Sequence, residues 1–334
     1  MPEPLVSIVV VPRERFSHTR RALEALYANT PLRFQLIYVD GGSPAPIKRY
    51  LEIQARERRF RLLRTEHYLS PNQARNIGLN EANSKYVVFI DNDAEVAPGW
   101  LDALVRCAEE TNASVVGPLY CIGQQLHEIV HMAGGEMRVE EAQGQRRLHE
   151  KHRLCNERVR DVRPKLRREP CDLIEFHCVL VRSQMLRELG GLDEGLLSSR
   201  EHLDLCLAVH KAGGTVWFEP DAVVTYVPGP PFAQTDIPFY LLRWSDAWME
   251  STIRHFCEKW NFDVTNVGTV SRWLRPHRQI ALRQTRERLC RIAGSFIGNE
   301  LVDAWEWVIA RRALRKGRSL RSQTARTHLQ TLPT

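Results

Sequence analysis

Two periods of apolar residues divide the first 120 residues. Val6-Ser7-Ile8-Val9-Val10-Val11 is a β-branched run stopped by Pro12, and unbroken apolarity of this length predicts a buried parallel strand. Ser17 offers a helix N-cap, and Ala22, Leu23 and Leu26 recur at helical spacing before Thr30-Pro31 ends the segment. Phe34 to Val39 predicts a second strand, leading into Asp40-Gly41-Gly42-Ser43. A helix over Ile47 to Glu57 and a short strand near Phe60 to Leu63 follow. Ser70-Pro71 predicts the start of a helix over Asn72 to Ala82. Tyr86 to Ile90 is again strand-like and runs into Asp91-Asn92-Asp93. Strand and helix alternate four times, which predicts an α/β fold with a parallel sheet between helices.

After a helix over Gly99 to Glu110 and a strand over Ser114 to Gly117, the pattern breaks. Residues 122–170 show little periodicity and many Arg, Glu, Gln and His, so they read as an irregular insertion. Leu173 to Arg182 predicts a strand, Ser183 starts a helix stopped by Gly190-Gly191, and Glu201 to Ala212 is a helix stopped by Gly213-Gly214. Two strands are expected over Thr215 to Phe218 and Val223 to Tyr226. Gly229-Pro230-Pro231 marks a boundary, giving a sheet domain over 1–230 and a helical extension over 231–334, with helices over Phe239 to Trp260 and Ile280 to Ala313.

Charge is distributed unevenly. The net +7 conceals 14 Lys+Arg against 4 Asp+Glu from Ser271 onward, and 10 against 4 between Gln145 and Pro170. The remaining body is acidic, so the basicity is local and does not describe a nucleic-acid binder. The eight cysteines include no C-x-x-C pair, which argues against a zinc ribbon. His127, His131, His149 and His152 fall in the irregular insertion, and a zinc site there would want closer clustering with Cys or carboxylate. No apolar run approaches the ~20 residues of a membrane span. The start of the chain lacks the basic and apolar regions of a signal peptide. The expected location is cytoplasmic.

In open α/β sheets, ligands bind at the carboxyl ends of the strands. Three such ends carry chemistry: Pro12-Arg13-Glu14, Asp40-Gly41-Gly42-Ser43 and Asp91-Asn92-Asp93. Two carboxylates one residue apart, leaving a buried strand, suit a hard divalent ion (Mg²⁺ or Mn²⁺) that shares its oxygens with a substrate phosphate. A D-x-D triplet arises by chance about once in a chain of this length, so its place after the strand gives it meaning. Asp40 can accept hydrogen bonds from a base or ribose, or close an ordinary turn. Arg75 and Asn76, on a helix, can meet phosphate or brace the Asp turn. Glu175 and His177 alternate with Phe176 and Cys178, so both face one side, toward an acceptor or as a satisfied buried pair.

The ordered set of a strand ending in Pro12, Val39-Asp40-Gly41-Gly42-Ser43, Asn72-Gln-Ala-Arg-Asn-Ile-Gly78 and Val87-Val88-Phe89-Ile90-Asp91-Asn-Asp93 resembles the family 2 glycosyltransferases of the GT-A fold. Gly190-Gly191-Leu192-Asp193-Glu194, then Glu201-His202-Leu203-Asp204, is similar to the family's second signature. The resemblance covers residues 5 to about 230. It implies a Rossmann-like, mostly parallel sheet and a metal-dependent, inverting transfer of sugar from a nucleotide-diphosphate donor to a saccharide or lipid-linked saccharide hydroxyl in polysaccharide or glycoconjugate assembly. It further implies that Asp40 contacts the nucleobase, Asp91 the ribose or metal, and Asp93 the ion bridging the diphosphate. Pro12, Glu14, Arg75, Asn76 and Asn92 then shape the donor site.

Three departures stand out. The family's acceptor base belongs to a Glu-Asp pair, and here the pair is Glu201-His202, so His202, Glu201 or Asp204 is the base. Tyr226 stands where many relatives carry a metal-reaching His, and offers a hydrogen bond to phosphate. Pro12-Arg13-Glu14-Arg15 replaces an aromatic-Asn pair. These departures leave open a GT-A-like scaffold that binds nucleotide or carbohydrate without turnover. A sugar nucleotidyltransferase would show a Gly-rich basic loop after the first strand, which Pro12-Arg13-Glu14 is not. The C-terminal segment mixes Trp273, Phe296, Trp305 and Trp307 with arginines. Such a face packs on the core or a partner, or lies on the inner face of an anionic membrane.

Overall fold

The computed structural model describes residues 5–263, 267–318 and 330–331. Its first half runs β1 (Val6–Val11), α1 (Thr19–Ala28), β2 (Phe34–Gly41), α2 (Ala45–Arg58), β3 (Arg61–Thr65), α3 (Pro71–Leu79), β4 (Tyr86–Asp91), β5 (Ala94–Val96), α4 (Trp100–Thr111) and β6 (Val115–Ile122). There follow β7 (Val130–Met132), β8 (Gly135–Ala142), β9 (Gln145–His152), α5 (Val159–Val162), β10 (Glu169–Pro170), β11 (Cys178–Arg182), α6 (Ser183–Leu189), α7 (Glu201–Lys211) and β12 (Val216–Tyr226). The remainder is α8 (Ile237–Arg243), α9 (Asp246–Trp260), α10 (Val267–Ala293), α11 (Ser295–Arg318) and β13 (Gln330–Thr331).

One sheet dominates, in the order β10-β12-β6-β11-β4-β1-β2-β3-β13. β1, β2, β3 and β4 pair in parallel, as do β6 and β12. β11 enters between β4 and β6 antiparallel to both. The sheet is thus mostly parallel, as expected, with β11 the antiparallel strand at its middle. Every residue of β1 and β4 is buried, as continuous apolar runs demand when both faces are covered. α3 lies directly on this layer: a Cβ on Gly78 would come within 2.3 Å of Val9. Ser70 and Pro71 open α3 as expected, and Gln73 accepts from the Ser70 amide at 3.0 Å.

The differences from the sequence reading have local causes. Residues 135–152 form a two-stranded antiparallel hairpin, β8–β9, in full register from Gly135↔His152 to Ala142↔Gln145. Its residues are mostly exposed, so no apolar alternation announces it. The strand expected over Leu173 to Arg182 is confined to β11, because Leu173 makes only an isolated bridge with Gly135 and the chain bends at Phe176 and His177. The two strands expected over 215–226 are one, β12, with a register shift between Glu219 and Val223 around Pro220. Phe239 to Trp260 divides into α8 and α9, with Ser245 capping the second through its hydroxyl. Ile280 to Ala313 divides into α10 and α11 at Gly294, whose φ of 78° ends the first helix.

α8 and α9 pack on the sheet domain. Phe239 and Trp248 join Phe16 and Tyr68 in one buried cluster. Asp236, just before α8, accepts from the backbone amides of Phe16 and Ser17 at 2.8 and 3.0 Å. The helical segment therefore holds the loop that follows β1.

Candidate active site

The carboxyl end of β4 is the centre. Asp91 is fully buried, and both of its oxygens are engaged: Arg75 Nη2 donates to Oδ1 at 3.1 Å and His177 Nδ1 lies 2.9 Å from Oδ2. A carboxylate only accepts, so the His177 proton resides on Nδ1. Arg75 is fully buried, donates to the Phe176 carbonyl and Asn72, and lies 3.8 Å over the Phe176 ring. Burial pulls its pKa down against the attraction of Asp91. Arg13 approaches Asp91 at 3.6 Å and donates to Glu201 at 2.8 Å. Burial opposes the Arg13 charge, yet Glu201, Asp91 and Glu14 carry its pKa above the ordinary value.

Asp93, 1% exposed, differs from Asp91 in having no hydrogen-bond partner on either oxygen. Burial raises its pKa well above normal, and the charges of Asp91 and Glu14 add to the rise. Nearby, the Tyr226 hydroxyl donates to Glu14, and the Tyr226 ring stacks on His177 at 4.0 Å and 10°. A buried carboxylate with two free oxygens and two further carboxylates nearby suits a hard divalent cation, which would satisfy those oxygens and offset the repulsion. Asp93 is the residue that would hold it. Asp91 reaches the site with its oxygens already shared.

The other carboxyl ends brace this centre. Asn92 accepts from the Arg13 amide at 3.1 Å and donates to the Arg15 carbonyl at 2.8 Å, fixing the loop after β1. Asp40 accepts from Ser43 N and Oγ and from Arg64. Burial raises its pKa against the Arg64 charge. Pro12 is buried beside Gly41, where a Cβ would meet Pro12 and Leu69 at 3.2 Å. Asn76 exchanges hydrogen bonds with Leu192 and donates to Glu194, so it holds the Gly-Gly-Leu-Asp turn rather than facing the Asp91 cluster.

At the start of α7, three candidates separate. Glu201 is 1% exposed and paired to Arg13; burial raises its pKa, but Arg13, Arg243 and Arg75 bring it down to about 2. Asp204 accepts from Trp260 Nε1 at 2.8 Å and Lys259 at 2.9 Å, bound to α9. His202 keeps 12% of its side chain exposed and sets Nε2 3.3 Å from Glu150 of β9. Burial lowers its pKa, but Glu175, Glu150 and Glu201 outweigh this and raise it.

Residues 7–163 match the family model described as Glycosyl transferase family 2. That stretch is similar to glycosyl transferase family 2. The pre-mycofactocin glycosyltransferase of Mycobacterium tuberculosis is 27% identical over 221 residues, 66% of this chain and 42% of that protein. An uncharacterized glycosyltransferase of Rickettsia felis is 26% identical over 107 residues, 32% of this chain and 18% of its own. The O-antigen biosynthesis protein RfbC of Myxococcus xanthus is 30% identical over 116 residues, 34% of this chain and 9% of its own. The chain spans less than half the length of these curated relatives. The fold resembles that of GalNAc-T7, crystallised with UDP, GalNAc and Mn²⁺, with a TM-score of 0.53 at 16% identity over 86% of this chain and 57% of that one. The sheet domain has the GT-A fold.

The family 2 stretch contains Pro12, Glu14, Asp40, Arg75, Asn76 and Asp91 to Asp93, while Glu175, His177, Glu201, His202 and Tyr226 follow it in the chain. The fold joins members of both sets at the carboxyl end of β4, with Arg75 and His177 on Asp91 and Arg13 between Asp91 and Glu201. His177 and Glu175 enter here because β11 runs antiparallel beside β4, so the residues preceding it lie beside the end of β4; the Asp91 amide donates to the His177 carbonyl at 2.9 Å. Three participants escaped the sequence reading: Arg64, Arg243 and Glu150. Arg64 and Arg243 are single basic residues without spacing to mark them, and Glu150 depends on a hairpin that periodicity did not reveal.

Proposed function

We propose that the chain is a metal-dependent, inverting glycosyltransferase that takes a nucleotide-diphosphate sugar and transfers the sugar to a hydroxyl of a saccharide or lipid-linked saccharide. The observation that carries this reading is Asp93, buried with both oxygens unshared at the carboxyl end of β4. Asp93, with Asp91 beside it, would hold Mn²⁺ or Mg²⁺, whose chemistry is to neutralise charge on a departing diphosphate. UDP, as bound to the GalNAc-T7 neighbour, is the donor nucleotide to try first.

His202 is the residue best placed to act as base. Glu201 is held ionised by arginines and is a weak proton acceptor, and Asp204 is turned to Lys259 and Trp260. The Nε2 proton of His202 faces Glu150, which leaves Nδ1 to accept the acceptor hydroxyl proton. As that oxygen bonds to the anomeric carbon, the bond to the diphosphate oxygen breaks and the nucleoside diphosphate leaves. Asp40 with Ser43 and Arg64 forms the polar end suited to the base and ribose. The buried cations Arg13, Arg15 and Arg243, with the Tyr226 hydroxyl, supply positive potential where the leaving charge develops. Glu175 and His177 face the acceptor side. No helix among the described residues is long and apolar enough to cross a membrane. Peripheral contact with the inner face of an anionic membrane through α10 and α11 completes the proposal.

The test is thermal stabilisation by UDP and other nucleoside diphosphates, with and without Mn²⁺, in wild type and Asp93→Asn. Metal-dependent stabilisation in wild type and its loss in Asp93→Asn is the expected result. At 100 times its Kd, a ligand raises stability by ~2.7 kcal/mol. The absence of stabilisation by any nucleotide would overturn the reading. Donor binding without turnover against any acceptor would move it to a binding scaffold.

A further inference from the structure

The hairpin base brings together two histidines that the Asp93 centre does not use with Glu175 at its margin, residues far apart in sequence. His131 is the middle residue of β7, His152 the last of β9, and Glu175 precedes β11. One ligand atom from each lies within 4.8 Å of the others. His131 Nε2 is 3.9 Å from Glu175 Oε1, too far for a hydrogen bond, and the two imidazoles meet edge to face at 5.3 Å. Among the described residues, the His152 ring has ring contacts but no hydrogen-bond partner. We propose that His131, His152 and Glu175 form a second metal site, for zinc or a similar borderline divalent ion, which fastens the β8–β9 hairpin to the sheet edge.

The donor set decides the ion. Two imidazoles and one carboxylate favour Zn²⁺ over Mg²⁺, and three protein ligands would leave a fourth position for water. Around tetrahedral zinc at ~2.0–2.1 Å, donor atoms stand roughly 3.3 Å apart, so the observed spacing closes with a side-chain adjustment of about 1 Å. The backbone already fixes the frame: Ala133 donates to the Arg153 carbonyl and Arg153 to the Gly134 carbonyl, both at 3.1 Å. A neighbouring set, Glu150, His152 and His202, shares His152. There Arg200 already occupies Glu150 at 3.2 Å, which favours the Glu175 set.

The site shares Glu175 with the acceptor side of the proposed function but not Asp93, and its test separates the two. Zn²⁺ binding to the full chain is measured by calorimetry for wild type, Asp93→Asn, His131→Ala, His152→Ala and His149→Ala. His149 is exposed on the same hairpin and pairs with Glu140, which makes it the control. One Zn²⁺ per chain is expected in wild type, Asp93→Asn and His149→Ala, with at least tenfold weaker binding in the other two. Zinc absorption spectroscopy on the wild type needs no variant and should show two imidazole ligands. Hydrogen exchange should slow over residues 135–152 when Zn²⁺ is added. A shell of oxygens alone, affinity unchanged in both histidine variants, binding lost in Asp93→Asn, or exchange in the hairpin unaffected by Zn²⁺ would each overturn the proposal.

Discussion

Asp93 and Glu201 are both buried carboxylates, and their neighbours treat them in opposite ways. Around Asp93, burial, Asp91 and Glu14 all disfavour the charge. Replacing it with Asn should therefore raise the melting temperature of the metal-free protein by a few degrees while removing its response to Mn²⁺; calorimetric melts with and without metal read both effects. Glu201 has the reverse setting, with its pKa drawn from 4.5 to about 2 in spite of burial, chiefly by Arg13. A depressed folded-state pKa gives stability that is present above the unfolded value and is lost as pH falls toward the folded one. Glu201 should therefore contribute to an acid unfolding limb between about pH 4.5 and pH 2. Arg13→Ala strands this charge and should cost about 3–5 kcal/mol in denaturant unfolding. For His202 the sign changes again. Its folded pKa is raised, and only the neutral imidazole accepts a proton, so turnover should rise with pH through a midpoint above the ordinary 6.5. His202→Ala should lower kcat by about 10²-fold or more and abolish that limb while UDP affinity persists.

Among the elements, legibility followed burial. β1, β2 and β4 were readable because each is a predominantly apolar run, and α3 because Ser70 and Pro71 mark its start. Asp91 and Asp93 could be placed from the same strand, since the residue after a buried parallel strand has only the cleft to enter. Those signals gave no partners. That Asp91 is fully engaged and Asp93 is not depends on Arg75 and His177, which reach Asp91 alone, from α3 and from the residues before β11. β8–β9 was illegible because a hairpin lying mostly in solvent needs no alternation, and its histidines looked scattered until the fold supplied Glu175. Helix packing has a sharper check. Gly78→Ala places a methyl within 2.3 Å of Val9 on a fully buried strand, so it should destabilise by roughly 1–3 kcal/mol in urea unfolding.

Over the whole molecule, the net charge of +7 belongs to the end of the chain and the hairpin region, whereas the site is a cluster of matched buried charges. Helices α10 and α11 leave Ile292, Phe296, Ile297 and Trp307 more than half exposed, alongside an excess of arginine. Trp273 lies outside the described side chains. If this face rests on lipid, Phe296→Ser with Trp307→Ser should weaken sedimentation with anionic vesicles several-fold without altering the response to Mn²⁺ and UDP. Unchanged co-sedimentation would reject the lipid contact.

The reversed direction of β11 has a consequence for how such a chain can diversify. Asp40, Asp91 and Asp93 are set by β2 and β4, whereas Glu175, His177 and the hairpin all belong to the excursion between β6 and β11. That excursion leaves and rejoins the sheet at fixed strands, so it behaves as a cassette. Its length and sequence can be exchanged while β2 and β4, with Asp40, Asp91 and Asp93, stay as they are. On the proposed function, grafting another protein's segment between Ile122 and Leu173, with Phe176 and His177 kept on Arg75 and Asp91, would alter the choice of acceptor and leave the choice of donor intact.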